Sequence, residues 1–407
     1  TYTNSAAAEM KQRLYSKLTE SLAAEKDDDK KQYISEQIDT LSNCDIGTLH
    51  SICKKILSNY FYTINLDPSF GLISDKEQTY LFDVSLNNVI NKLVGDNDAD
   101  FYEIYTLYNN KRNMNEIKKL VKKLYDFCLS KTDYNAWKTE VLETGCSADF
   151  NINPSAVYIL NYYKDEAKRV EGALKGLQIA SDKLQKKYGD FVNYNINIAS
   201  YIANICSYDD MCKYASVVEL QSKPRVNNKD IDEQIFNDDL IAVYDEFKEL
   251  VADIKSIFVS YSKAEMEKTK KTISSLFKIK ELVEVEYFKA KSQRNVLDFS
   301  DLEHLTLKVL ENEKIANELK NKYKFIFVDE YQDINQVQET IINKISTNNV
   351  GMIGDLKQSI YQFRLSSPEI FIEKFNRFSK NPKDGEVINF NHNFRSDPNI
   401  LEFANLI

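Results

Sequence analysis

Short apolar runs alternate with helical patterns in the part of the chain that begins at about residue 296. This alternation is typical of βαβ units, in which each buried strand is followed by a helix that packs on a parallel sheet. The sequence therefore predicts an α/β domain here. The predicted buried strands are 324–328 (KFIFV), 350–353 (VGMI) and 387–390 (VINF), and the predicted helices between them are 335–346 and 368–378.

The middle of the chain has a different pattern. Glycine and proline, which interrupt helices, number only 10 and 6 in 407 residues, and this scarcity indicates long helices with few strands. Residues 61–290 are mostly amphipathic. Within 117–124, for example, apolar residues share one helix face and four lysines occupy the other. This region is therefore predicted to be helical.

The N-terminal segment completes the predicted architecture. It opens with TYTN, which we interpret as the end of a strand, and continues with a helix that places Met10, Leu14 and Leu18 on one face. The simplest arrangement is one α/β domain built from both ends of the chain and interrupted by a large, all-helical insertion domain. The predicted boundaries are 1–60 and 291–407 for the α/β domain and 61–290 for the insertion.

Composition excludes several classes of function. The apolar runs are too short to span a membrane. Six cysteines without a CxxC pair, together with only three histidines, disfavour a zinc site and fit reduced thiols in a cytoplasmic protein. The net charge of −9 and the pI of about 5.2 do not indicate nucleic-acid binding. Any such function has to come from local motifs.

An acidic pair, Asp329 and Glu330, directly follows the predicted strand 324–328. The carboxyl ends of strands are where open α/β sheets bind their ligands. The placement matches a Walker B strand, in which one carboxylate holds Mg²⁺ and its neighbour positions and deprotonates a water. A solvated acidic pair at the end of an ordinary strand is the alternative.

The second predicted strand is followed by GDLKQSIYQFR at 354–364. Here an amide, Gln358, is suited to sensing a γ-phosphate, and Phe363 offers a ring on which a nucleic-acid base can stack. The alternative is that Tyr361 and Phe363 are core aromatics. Two strand ends with complementary polar groups favour a ligand site over two unrelated loops.

Taken in order, six segments resemble the motifs of the superfamily-one DNA helicases of the UvrD type. Lys357, together with the TLHS and NFRS segments, indicates the AddA/RecB branch, and a UvrD-like repair helicase is the alternative. The six are 1–10 (TYTNSAAAEM, motif Ia), 48–51 (TLHS), 297–302 (LDFSDL), 329–333 (DEYQD, motif II), 354–364 (motif III) and 391–396 (NHNFRS, motif IV).

The resemblance implies an incomplete RecA-like P-loop NTPase motor domain that uses ATP and Mg²⁺. By this resemblance, Asp329 binds Mg²⁺ and Glu330 is the catalytic base. Gln358 and Arg395 contact the γ-phosphate, where an Arg stabilises charge on the transferring phosphoryl group. Phe394 stacks on the adenine.

The same resemblance implies contacts with DNA. Tyr2 and Phe363 are expected to stack on bases of single-stranded DNA, and further residues contact the strand or link it to the ATP site. Two alternatives stay open, because Thr48 can be a helix N-cap and His50 a hydrogen-bonded core histidine. The further DNA-site residues are Thr3, Asn4, Thr48, His50, Tyr361 and Arg364.

The sequence departs from the family pattern in one respect, since it contains no GxxxxGK[ST] phosphate-binding loop. We expect an internal piece of a longer helicase-nuclease, lacking the P-loop, the second motor domain and the nuclease domain, and inactive alone. The implied partners are single-stranded DNA, duplex DNA and an AddB-like protein, with the lysines of 118–123 as a duplex contact or merely a solvated face. A catalytically dead DNA-binding or scaffolding module is the competing hypothesis.

Overall fold

The computed structural model describes residues 3–41, 43–108, 114–177, 182–224, 231–259, 263–360, 365–390, 392 and 396–405. The chain divides into two compact units. The first comprises Thr1–Leu86, Lys123–Thr132 and Val285–Ile407, and the second comprises Asn87–Lys122 and Asp133–Glu284.

Helices dominate both units. The helices are α1 (Asn4–Ala24), α2 (Asp28–Leu41), α3 (Leu49–Tyr60), α4 (Asp75–Gly95), α5 (Ala99–Tyr108), α6 (Asn115–Cys128), α7 (Tyr134–Glu140), α8 (Pro154–Gly176), α9 (Asp182–Ala203), α10 (Tyr208–Val217), α11 (Ile231–Val259), α12 (Lys263–Gln293), α13 (Phe299–Val309), α14 (Glu313–Lys322), α15 (Gln336–Lys344), α16 (Pro368–Lys380) and α17 (Pro398–Asn405). The strands are β1 (Gly71–Leu72), β2 (Val296–Leu297), β3 (Ile326–Val328) and β4 (Val350–Met352). Short 3₁₀ turns occur at Phe61–Thr63, Tyr331–Asp333 and Leu356–Gln358, and a π-helical turn at Val141–Gly145.

Strands β3 and β4 form a parallel pair in the first unit, with Ile326 opposite Val350 and Val328 opposite Met352. The predicted strands at 324–328 and 350–353 are thereby confirmed in shortened form. Burial of the first is not confirmed, because Phe325 and Phe327 are 66% and 70% exposed. These two rings stack on each other on a largely exposed face of β3.

The predicted strand at 387–390 is wrong. Its residues have no regular secondary structure, and Ile388 and Phe390 are 69% and 86% exposed. A strand requires a neighbour that accepts and donates ladder hydrogen bonds, and no described segment pairs with this one. The two helices predicted in this part are confirmed, with small differences at their ends, as α15 and α16.

The N-terminal interpretation also needs correction. Asn4 is the first residue of α1 rather than the end of a strand, and Thr3 is its N-cap, whose Oγ1 accepts a hydrogen bond from the Ala6 amide at 3.1 Å. A threonine before an alanine run is a sufficient helix start, since it satisfies an otherwise unpaired N–H. The predicted helix is therefore confirmed, but Met10 and Leu14 are exposed.

The second parallel pair lies within the first unit and joins two segments on either side of the long helical region. Gly71 lies opposite Val296 and Leu72 opposite Leu297, and the Gly71 amide donates to the Asn295 carbonyl at 2.9 Å. Every regular element described between β1 and β2 is helical. Two segments far apart in sequence are thus held side by side.

Each unit has its own apolar core. In the first, α3, α13, α14 and α15 contribute buried side chains, among them Leu57, Leu302, Leu319 and Ile341. In the second, α8, α9, α10 and α11 build a larger core that includes Tyr188, Phe247 and Phe258. None of the described helices is both long enough and apolar enough to cross a bilayer.

Candidate active site

The carboxyl ends of β3 and β4 meet at one edge of the first unit. Beyond the strands the pairing continues, because the Ile353 amide donates to the Val328 carbonyl at 2.8 Å and the Tyr331 amide donates to the Ile353 carbonyl at 2.9 Å. The acidic pair that follows β3 is therefore held beside the glycine turn that follows β4. This is the arrangement that the alternating pattern predicts.

Glu330 adopts a backbone conformation that is uncommon for a residue with a side chain. Its φ of 52° and ψ of 43° lie in the left-handed region, which costs roughly 1–2 kcal/mol for an L-residue. Such strain persists where surrounding bonds enforce it, and it clusters at functional sites. Asp329 is half-buried and Glu330 is exposed, so both carboxylates are accessible at the end of β3.

Gln332 follows in the 3₁₀ turn and is almost fully buried. Its Nε2 donates to Glu330 Oε2 at 2.7 Å and to Asp333 Oδ2 at 3.3 Å. Burial and the neighbouring charge of Glu330 raise the pKa of the Asp333 carboxyl. The turn thus gathers two carboxylates around one amide.

The residues after β4 face this turn. The Asp355 amide donates to Gln332 Oε1 at 3.1 Å. The Asp355 carboxylate in turn accepts from the Lys357 amide at 3.0 Å and from Gln358 Nε2 at 2.9 Å. Glu330 and Gln358, which the sequence assigns to one site, are therefore joined by a continuous series of hydrogen bonds.

Asp329 is the candidate ligand for a magnesium ion. Magnesium in nucleotide-dependent enzymes is held by one or two carboxylates, with waters and substrate phosphates completing the shell. Asp329, half-buried at the strand end with Glu330 beside it, fits that limited role. Among the described residues no group of three or more His, Cys, Asp or Glu side chains could hold a metal ion by itself.

Two candidate DNA residues are engaged in local structure. Thr48 is the N-cap of α3, with its Oγ1 accepting from the Ser51 amide at 3.2 Å. His50 Nε2 lies 3.0 Å from Glu303 Oε1, and its ring packs against Phe299 with centroids 4.7 Å apart. The N-cap alternative for Thr48 is therefore confirmed, whereas His50 contacts a carboxylate but is 33% exposed and is not a core histidine.

Glu303 is a functional candidate that sequence reasoning missed. It is nearly buried on α13, and it accepts a hydrogen bond from Gln338 Nε2 at 2.7 Å as well as contacting His50. Gln338 belongs to the capping box that starts α15, directly after the acidic turn. The TLHS segment is thus connected to the start of α15 through one carboxylate.

A second missed group lies behind the acidic turn. Buried Tyr331 donates its hydroxyl to Glu339 on α15, and Lys374 on α16 forms an ion pair with Glu339 at 2.5 Å. Burial and the Glu339 contact raise the pKa of the Tyr331 hydroxyl. The only sequence signal was the position of Tyr331 inside DEYQD.

The LDFSDL segment forms a buried ionic cluster. Lys291 Nζ lies 2.7 Å from Asp298 Oδ2 and 2.5 Å from Asp301 Oδ2, and Tyr287 donates to Asp298 at 3.2 Å. Asp298 and Asp301 also form the capping box of α13. This motif therefore fixes the end of α12 relative to the start of α13.

The remaining candidates are not brought to the acidic turn by any described contact. Thr3 and Asn4 lie at the start of α1. Several predicted nucleotide and DNA contacts lie outside the described residues. These are Tyr2, Tyr361, Phe363, Arg364, Phe394 and Arg395.

The chain is similar in sequence to known helicases. The family profile described as the UvrD/REP helicase N-terminal domain matches residues 1–379. Proteins named as the A subunit of an ATP-dependent helicase/nuclease are similar over the whole chain, with 29% identity in Ligilactobacillus salivarius, 30% in Listeria monocytogenes serotype 4b and 28% in Natranaerobius thermophilus. The alignments cover 33% to 34% of those relatives, so the chain spans about a third of their length.

Proposed function

Because this chain belongs to the UvrD/REP helicase family, whose members have a RecA-like superfamily-one fold, we propose that it is part of the motor of an AddA-like helicase-nuclease. The motor would use ATP hydrolysis to move along single-stranded DNA during double-strand-break repair and recombination. The observation that carries the proposal is the series of hydrogen bonds that joins Glu330, the neighbour of Asp329, to Gln358 at the carboxyl ends of β3 and β4.

In this proposal the residues divide the chemistry of phosphoryl transfer. Asp329 would hold Mg²⁺, which supplies charge stabilisation for the phosphates, and Glu330 would orient and deprotonate the attacking water. Gln358, on the exposed turn after β4, would contact the γ-phosphate. Arg395 would stabilise charge on the transferring group, and Phe394 would stack on adenine.

The phosphate-binding loop would come from residues outside 1–407, because this sequence contains no GxxxxGK[ST]. We accordingly propose that the motor belongs to a longer protein. We also propose an AddB-like partner and a motor domain at 1–60 and 291–407. The pairing of β1 with β2 supports an insertion close to the proposed 61–290, because it holds residues 71–72 beside 296–297 and every regular element described between these strands is helical.

The DNA-site residues would have two kinds of role. Some would contact the strand directly, and others would connect the strand to the ATP site. Tyr2 and Phe363 would stack on bases of the single strand, a contribution of roughly 1–3 kcal/mol per base. The Glu303 contact supports a linking role for His50, through Gln338 to the start of α15. Thr48 would support the same loop by capping α3.

The test is a substitution of the proposed base in the complete protein. Glu330→Gln keeps the size and the hydrogen-bonding reach of the side chain but removes its basicity. We expect loss of DNA-stimulated ATP hydrolysis with ATP binding largely intact. Glu311→Gln, an exposed glutamate of the same unit, is the control and is expected to behave like wild type. Wild-type hydrolysis by Glu330→Gln would refute the assignment.

A further inference from the structure

Gln332 is placed between the two halves of the candidate site. It is 1% exposed, and both ends of its amide are used. Nε2 donates to Glu330 and Asp333, and Oε1 accepts from the Asp355 amide. A buried primary amide with all of its partners in one turn and one strand end is fixed in orientation, because rotating it would leave polar groups unpaired.

The same bonds continue toward the proposed γ-phosphate contact. Asp355 donates its amide to Gln332 and accepts Gln358 Nε2 on its carboxylate. The path from Glu330 to Gln358 therefore runs through one side-chain amide and one short turn. Residues 359–364, which hold the proposed DNA contacts Tyr361, Phe363 and Arg364, follow this turn directly in sequence.

Close packing holds the amide in place. A Cβ at Gly354 would lie 2.5 Å from Gln332 Oε1 and 3.2 Å from the Tyr331 amide nitrogen. Gly354 has no left-handed backbone requirement, so its smallness serves this close approach. The strand end after β4 can reach the acidic turn only without a side chain at this position.

We propose that Gln332 is a positioning residue that fixes the Glu330 carboxylate relative to the Gln358 turn, and so couples hydrolysis to the DNA-contacting segment. This inference rests on the proposed motor function. Glu330 is exposed and has three rotatable side-chain bonds, so without the Gln332 bond its carboxylate samples many orientations. A misplacement of about 1 Å at a reacting group can cost on the order of 100-fold in rate.

The experiment uses the complete protein and two variants that disturb the amide differently. Gln332→Met removes the donor and the acceptor at similar size, whereas Gly354→Ala leaves the amide but pushes on its oxygen. Gln336→Met, at an exposed glutamine on the first turn of α15, is the matched control. The measurements are kcat and KM for ATP, with and without single-stranded DNA, and the stoichiometry of binding of a non-hydrolysable ATP analogue.

We expect both variants to lower kcat by about 10- to 100-fold, with KM for ATP changed less than about threefold. The ratio of DNA-stimulated to basal hydrolysis should fall as well, and analogue stoichiometry should stay at the wild-type value. A merely structural role would reduce analogue stoichiometry and kcat together and leave the stimulation ratio unchanged. That result, or wild-type kcat and stimulation in Gln332→Met, would overturn the inference.

Measuring Glu330→Gln in parallel distinguishes a failure of the Gln332 positioning role from a failure of the proposed catalytic base. If Glu330→Gln abolishes hydrolysis while Gln332→Met and Gly354→Ala behave like wild type, the positioning role fails and the motor assignment stands. If Glu330→Gln hydrolyses ATP normally, the proposed base is wrong and the positioning role fails with it.

Discussion

Both compact units have an apolar core, but they differ in the ion pairs that accompany it. In the second unit, long helices bury aromatic and aliphatic side chains in one large cluster. In the first, short elements are also joined by ion pairs in which the carboxylate is largely buried, although Lys55 and Lys322 are exposed. These include Lys291 with Asp298 and Asp301, Asp45 with Lys55 and Lys322, and Glu339 with Lys374.

The difference matters because apolar packing and charged hydrogen bonds differ in how strongly they depend on direction. Apolar packing is non-directional and scales with buried area, so it suits a helical unit with few motifs. Charged hydrogen bonds are directional, so they fix where one segment lies relative to another. The first unit holds the candidate site, and its charged contacts set the geometry of the segments around it.

The largest expected effect concerns the apolar core of the second unit. Phe247 is fully buried on α11, and Phe247→Ala is expected to lower the free energy of unfolding by about 3–5 kcal/mol, through lost burial and a cavity. The loss should be the same at pH 4 and pH 7. Ile235→Ala, at an exposed position of the same helix, is the control. Chemical denaturation at both pH values measures the change in the free energy of unfolding. A strongly pH-dependent change would contradict the view that apolar packing stabilises this unit.

A similar loss with a different pH dependence is expected for the ionic cluster. Lys291→Met leaves Asp298 and Asp301 buried without their cation, which typically costs about 3–5 kcal/mol. Burial and Asp298 already raise the pKa of the Asp301 carboxyl, so protonation relieves the unpaired charge and the loss should shrink as pH falls. Lys289→Met, exposed on the same helix, is the control. A loss of equal size at all pH values would contradict the charged account.

A smaller effect is expected at Asp45, before α3. Burial alone would raise its pKa, but hydrogen bonds from Lys322, Lys55 and Tyr323 outweigh burial and lower the pKa to about 2. Because the pKa is lowered, the Asp45 carboxylate stabilises the fold fully at pH values above 3.8, the pKa of the unfolded chain. That contribution is lost as the pH falls toward 2.

Asp45→Asn should therefore cost about 2 kcal/mol at pH 7, and the difference from wild type should disappear between about pH 4 and pH 2. Denaturation curves across that range measure it. Asp384→Asn, at an exposed position of the first unit, is the control. A constant difference over this pH range would show that the ion pairs are not its source.

The sequence predicted secondary structure correctly where short-range patterns such as apolar periodicity determine it. The strands at 326–328 and 350–352 and the helices α15 and α16 follow from apolar periodicity, and the meeting of the two strand ends follows from parallel pairing. The segment at 387–390 has the same apolar pattern but no described partner, and pattern alone cannot supply one.

The contacts that shape the candidate site were not readable in this way. Gln332 and Asp355, or His50 and Glu303, are distant in sequence, and each residue type has a common structural use elsewhere. The first contact depends on how the residues after β3 and β4 meet, and the second depends on how α3 packs against α13, which no single segment specifies. Motif resemblance indicated where the chemistry lies, but it did not indicate which side chains hold it in place.

The most direct test of the central claim is the rate of ATP hydrolysis by the complete protein with and without single-stranded DNA. The account predicts hydrolysis that requires Mg²⁺, is stimulated by single-stranded DNA, and is lost in Glu330→Gln. A protein that binds single-stranded DNA but hydrolyses no ATP under any of these conditions would contradict the motor assignment and favour a DNA-binding module.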